Sequence, residues 1–164
     1  MEGRGGQSPC LPTGRRRWGA ECVSSTWDGW IATGHNDGRL ALWKEEKKRP
    51  VGSVVAAHGR IGSVSGAGGV TRSIMCCDAL ALSDVLATGS NDGYLRFWRV
   101  IADERESGIK PLDAIPIHGF INGIAMGPGG KFCVAAVGQE PRMGRWDRVP
   151  RAKNRFAIIR LHGD

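Results

Sequence analysis

Hydrophobic and polar positions alternate along short runs of this chain. Leu40 and Leu42 alternate with Arg39 and Ala41, and Leu95 and Phe97 with Tyr94 and Arg96. A period of two places the apolar members on one face of a β-strand. Each run ends on a tryptophan, Trp43 or Trp98, and each is preceded by Asn-Asp-Gly, at Asn36-Asp37-Gly38 and Asn91-Asp92-Gly93. Asp-Gly between two strand-like runs predicts a hairpin, because the tight turn needs residues that accept positive φ. The units 32–43 and 87–98 begin 55 residues apart and share their Ala, Thr, Gly, Asn, Asp, Gly, Leu and Trp. An internal repeat of this kind decides the architecture.

A third, degenerate copy runs over 134–147; it lacks Asp-Gly and ends in the pair Trp146-Asp147. Pro128-Gly129-Gly130-Lys131 predicts a hairpin just upstream of it. His58-Gly59 and His118-Gly119 precede the second and third copies. A His before the unit, an Asp in its turn and a Trp at its end resemble the signature of WD-repeat β-propeller blades. The resemblance implies an all-β fold of about three four-stranded blades, here residues 20–58, 59–118 and 119–161, after an irregular Gly/Arg-rich segment 1–19 and before a short tail, 162–164. The Gly/Ser stretch 59–69 accounts for a spacing longer than the usual ~40–45 residues. Propellers typically close with about four to eight blades, so three are expected to be the C-terminal part of a larger, seven-bladed ring. In WD repeats the His, a hydroxyl of the second strand, the turn Asp and the Trp form a buried hydrogen-bond network. Carried onto this chain, its members are His58, Thr88 or Ser90, Asp92 and Trp98 in the second blade. Asp37 and Trp43 serve the first, which offers no upstream His, and His118 and Trp146 serve the third, which offers no turn Asp.

Composition narrows the function classes. The chain carries 25 Gly and 8 Pro and is 41% hydrophobic, which suits short strands and turns. No apolar run approaches the ~18 residues of a membrane span, and no apolar stretch follows the polar start Met1–Gln7, so no secretory leader is expected. The five cysteines, at 10, 22, 76, 77 and 133, show no C-x-x-C spacing, so neither a zinc site nor a disulfide framework is expected. Gly130-Lys131 is followed by Phe132, where a phosphate loop needs Ser or Thr. The segment 62–66 misses the nucleophile-elbow register. The Asn-Asp-Gly turns lack the Glu of a calcium loop. The expectation is a binding scaffold with no catalytic residue, no metal and no cofactor or small-molecule substrate.

Charge then suggests a partner. The net charge is +7 and the pI about 9.6, a balance that favours an acidic partner such as nucleic acid. The segment 142–160 holds seven basic residues and one acid, Asp147; smaller clusters are Arg15–Arg17 and Lys44 with Lys47–Arg49. Where the siblings have Asn-Asp-Gly, the third copy has Gln139-Glu140-Pro141-Arg142. Giving up the easier turn predicts that this one serves contact as well as closure. The candidate RNA-binding residues are Gln139, Glu140 and Arg142 on the turn, Arg145 near one end of the following strand, and Arg148 beyond it.

The stretches Ile115–Asn122 and Val137–Trp146, with Leu40–Trp43, Lys47–Pro50, Ala57–Gly59 and Ala157–Leu161, resemble the WD-repeat proteins of the U3 small nucleolar ribonucleoprotein. Gly-Gln-Glu-x-Arg-x-Gly-Arg-Trp is unusual for a WD turn and carries most of this likeness. The resemblance implies binding of U3 small nucleolar RNA beside a small kink-turn-binding protein and other small-subunit processome proteins. It further implies a nucleolar role in processing the precursor of 18S ribosomal RNA. A general WD-repeat protein-interaction adaptor, such as a ubiquitin-ligase substrate receptor, is the alternative; such receptors often carry W-D-x-R, whereas Arg148 here follows Asp147 directly. A hydrolase on the same scaffold would need a carboxylate or histidine cluster.

Overall fold

The computed structural model describes residues 19–26, 29–61, 69–103 and 107–161. The N-terminal Arg15–Arg17 cluster, most of the 59–69 stretch and the tail 162–164 lie outside the described residues. Strands β1 (Ala20–Ser25), β2 (Trp30–His35), β3 (Leu40–Lys44) and β4 (Gly52–Val54) form one antiparallel sheet in sequential order. A small ribbon follows, of β5 (Arg60–Ile61) and β6 (Val70–Thr71). The second sheet holds β7 (Cys76–Ala79), β8 (Val85–Gly89), β9 (Tyr94–Ala102) and β10 (Ser107–Pro116). The third holds β11 (Phe120–Met126), β12 (Phe132–Gly138) and β13 (Arg155–Arg160).

The two Asn-Asp-Gly turns close the β2–β3 and β8–β9 hairpins, with Gly38 at φ 76° and Gly93 at φ 88°. In the register, Thr33 faces Ala41 and Thr88 faces Arg96, so the repeat seen in sequence is a repeat in pairing. Alternation reaches further than the sequence suggested. Leu95 and Phe97 of β9 enter the core shared with the third sheet, while Trp98 and Val100 enter the core shared with the first. The middle sheet is thus buried on both faces, as stacked blades require.

The joints between sheets also repeat. A Cβ on Gly34 would stand 2.6 Å from Ile74 Cγ2, and one on Gly89 would stand 2.5 Å from Ile121 Cγ2. Only glycine lets the isoleucine of the next blade come so close. The N–H of Ile74 donates to His35 O (3.1 Å) and that of Ile121 to Ser90 O (3.0 Å). The thiols of Cys22 and Cys76 point at the carbonyls of Ile74 and Ile121 in turn.

In the third sheet the structure departs from the sequence reading. The partner of β12 is β13, not the segment 142–146. The chain makes a sixteen-residue excursion, 139–154, before that strand begins. Among the described residues this sheet has three strands.

Candidate nucleic-acid interface

The excursion 139–154 is held by side-chain amides rather than by a strand ladder. Asn122 of β11 donates through Nδ2 to Glu140 O (2.9 Å) and accepts at Oδ1 from the Arg142 N–H (3.0 Å). The Gln139 amide donates to Pro150 O (3.2 Å) and Ala152 O (2.7 Å), and the Gln139 N–H donates to Asn154 Oδ1 (2.9 Å). Gln139 O accepts from the Val149 N–H at 2.8 Å. It stands one residue after Gly138, as His35 and Ser90 stand after Gly34 and Gly89. The loop therefore satisfies its own carbonyl at the place where, in the first two sheets, a neighbouring sheet's isoleucine does so.

These pins bring four of the five candidate residues into one cluster. The Glu140 carboxylate lies 3.3 Å from Arg145 Nε and 3.9 Å from Arg148 Nε, and Arg148 also donates to Gln139 Oε1 at 3.0 Å. Arg145 and Arg148 remain largely exposed, so Glu140 orients the guanidiniums without removing them from water. Arg142 is separate: it is exposed, and among the described residues its guanidinium makes no hydrogen bond or ion pair. Arg145 lies in the loop and not beside a strand end. The loop also reaches the neighbouring sheet, where Asn91 Nδ2 donates to Asp147 Oδ2 (3.2 Å) and Arg72 donates to Asn91 O (2.8 Å). The excursion thus lies beside the β8–β9 turn and holds five basic residues and two acids.

The residues assigned to the buried network divide by blade. In the second, the indole N–H of Trp98 donates to Thr88 Oγ1 (2.7 Å), and Thr88 Oγ1 lies 2.8 Å from His58 Nε2. His58 Nδ1 lies 3.0 Å from Asp92 Oδ1. A carboxylate can only accept, so in the neutral ring the proton sits on Nδ1, beside Asp92, and the Thr88 hydroxyl, which already accepts from the indole, donates its hydrogen bond to Nε2. Burial pushes the Asp92 carboxyl up, but His58, Arg96 and the Tyr94 N–H more than offset this and hold it below its usual value. Ser90 is buried but outside the chain of bonds: its hydroxyl donates to Ser73 O.

In the first sheet Trp43 donates to Thr33 Oγ1 (2.7 Å), and the ring bonded to Thr33 is that of His35, at 2.8 Å. His35 stands where the second unit has Ser90. Two residues beyond Thr33 on one strand, it shares Thr33's face, so period-two reasoning could have found it. Burial holds the His35 pKa below its ordinary value, with Asp37 opposing that effect. Asp37 itself turns to Arg39. In the third sheet no such network forms among the described residues. Val137, in the place of Thr33 and Thr88, has no hydroxyl, His118 is exposed, and Trp146 is 69% exposed in the excursion. The Trp146-Asp147 pair copies the motif in letters only, because Pro141, Gly144 and the anchors at Asn122 and Gln139 keep the segment out of the sheet.

Among the described residues no group of three or more His, Cys, Asp or Glu could hold a metal ion. No helix there is long and apolar enough to cross a membrane.

No family model matches the chain. It is similar to the mouse (Mus musculus) protein named U3 small nucleolar RNA-interacting protein 2, at 36% identity over 143 residues, 86% of this chain and 29% of that protein. An Arabidopsis thaliana U3 snoRNP-associated protein-like relative is 34% identical over 145 residues, 84% of this chain and 29% of the relative. The solved RRP9 WD40 repeats superpose with a TM-score of 0.80 at 35% identity, covering 87% of this chain and 42% of that one. The sheets are therefore WD40 blades, and the chain spans less than a third of the length of these curated relatives.

Proposed function

We propose that this chain, homologous over most of its length to U3 snoRNP-associated WD-repeat proteins, is a non-catalytic RNA- and protein-binding part of a U3 small nucleolar ribonucleoprotein. In this reading it acts in the nucleolus, in processing of the precursor to 18S ribosomal RNA. Its partners are U3 small nucleolar RNA, a small kink-turn-binding protein and other processome proteins. The observation that carries the reading is the pinned excursion 139–154. It replaces a tight turn with an exposed, net-basic loop whose arginines are oriented by Glu140 and Gln139. Forked guanidinium donors match phosphate oxygens, and a folded RNA is recognised largely through backbone and shape.

The test is binding of U3 RNA by the full chain and by its Arg142→Ala/Arg148→Ala variant over a salt series. The expected result is weaker binding and a slope of log affinity against log salt flatter by about 0.7–0.9 for each phosphate that is no longer neutralised. Unchanged affinity and slope, with circular dichroism showing the fold intact, would overturn this placement of the site.

A further inference from the structure

Beside the basic loop opens a cavity of about 330 Å³, bounded by Glu21 of β1, Met75, and Pro141, Arg142, Met143 and Trp146 of the excursion. Its volume falls in the range of small-ligand pockets, roughly 300–1,000 Å³. Two polar side chains at its wall are already spent: the Ser73 hydroxyl on Asn36 O, and both amide atoms of Asn122 on the loop backbone. Three others are not. Among the described residues the Glu21 carboxylate, the Arg142 guanidinium and the Trp146 indole N–H make no hydrogen bond or ion pair. Trp146 is 69% and Met143 73% exposed, so a large apolar surface faces water at the cavity mouth. The indole also packs against the loop's own backbone. Its ring lies over Gly144, where any Cβ would collide with it. Gly144 leaves room for the ring in this position.

We infer that this cavity receives one unpaired guanine of an RNA, stacked on Trp146, with its N1–H and N2–H donating to the Glu21 carboxylate and its phosphate held by Arg142. The inference rests on the RNA-binding reading and adds to it a base-specific subsite. Unpaired bases are recognised by stacking on aromatic rings and by bonds to their Watson–Crick edge. An ionised carboxylate only accepts. Guanine alone presents two adjacent donors on that edge, whereas adenine and cytosine set an acceptor beside their single amino group. The basic residues around the mouth favour a polyanion over a peptide as the occupant.

The full chain is titrated by fluorescence anisotropy with three labelled hexaribonucleotides: oligoadenylate with one central guanine, the same with inosine, and the same with an abasic site. Wild type binds the guanine form best and loses about tenfold or more on the abasic form. Trp146→Ala removes that difference, Gly144→Ala weakens it by displacing the ring, and Trp146→Phe largely restores it. Glu21→Gln erases the preference for guanine over inosine while the abasic penalty stays. Trp146 and Glu21 are exposed, so these variants keep the fold. Equal binding of all three RNAs with a normal salt slope overturns the subsite and leaves the RNA reading standing. Absence of any RNA binding sinks both. Protection of Trp146 from oxidation by an acidic peptide, and not by the guanine hexamer, assigns the cavity to a protein partner and overturns the inference.

Discussion

His58 and Thr88 meet across 30 residues of sequence, His58 Nε2 standing 2.8 Å from Thr88 Oγ1. His58 follows the first sheet and Thr88 lies in the second, so the bond ties the connection between blades to the strand pair that carries Trp98 and Asp92. Every member is buried or nearly so. Asp92→Ala removes the acceptor of His58, Arg96 and the Tyr94 N–H together. The expected loss is about 1–3 kcal/mol, because buried donors are left unsatisfied. Asp84→Ala breaks the exposed pair with Arg99 and a long, exposed hydrogen bond from the Ser83 hydroxyl and should cost under about 1 kcal/mol. Denaturant melts compare the two, and equal effects would refute the network's energetic role.

The first sheet is expected to be acid-sensitive through His35. Its folded pKa lies below the ordinary 6.5 because burial disfavours the charged ring. The stability this contributes is present above 6.5 and is lost as pH falls through the folded value. Asp92 follows the same sign at a lower range, its contribution being present above 3.8 and lost as pH falls through its depressed folded value. Thermal melts should therefore show a falling Tm between about pH 7.5 and about pH 5. In His35→Gln that step should shrink, while the loss at more acidic pH remains. A mildly acidic step of the same size in His35→Gln would exclude His35 as its source.

How much of this was legible in sequence depended on whether the signal was local. The Asn-Asp-Gly turns and the Leu-x-Leu/Phe alternation state a backbone requirement within a few residues, and both hairpins form where those residues stand. The pairing of β13 with β12 was not legible, though a last strand near the chain's end was. Trp146-Asp147 mimics a strand end in letters, and what excludes it from the sheet is long-range: Asn122 and Asn154 bonding across 15–20 residues. Glu140 was readable as a turn residue, but not as the acid that gathers Arg145 and Arg148. Glu21 carried no local signal at all, since the cavity arises only when β1 and the excursion come together.

Asp78 is expected to couple all three sheets. From β7 its Oδ1 accepts from the Ser24 hydroxyl of β1 at 3.3 Å, and its Oδ2 accepts from the Met126 N–H of β11 at 2.8 Å. Asp78→Ala removes both acceptors, so the Ser24 hydroxyl and the Met126 N–H lose their shared partner. The expected cost is about 1–3 kcal/mol. Native-state hydrogen exchange should show faster exchange at the Met126 amide. An unchanged Met126 exchange rate together with unchanged stability would refute the coupling.

Glu140 gives the sharpest check on the electrostatics of the excursion. Its carboxylate lies against two exposed guanidiniums and so competes with any phosphate for the same donors. Exposed pairs of this kind are worth little, about 0–1 kcal/mol, so Glu140→Gln should leave thermal stability nearly unchanged. The backbone of residue 140, which accepts from Asn122, is untouched by the substitution, so the loop keeps its anchor. What changes is charge: one acid leaves a loop that holds five basic residues. If the loop binds RNA through phosphates, the variant should bind U3 RNA more tightly at low salt, with a slope steeper by up to about one unit as a guanidinium is released to the backbone. The gain should vanish at high salt, where screening removes it. Combining Glu140→Gln with Arg145→Ala and Arg148→Ala should cancel most of the gain, because both released groups are then missing. Weaker binding by Glu140→Gln, with the fold and the Asn122 anchor intact, would instead mean that the carboxylate touches the RNA itself and that the arginines are not its principal phosphate ligands.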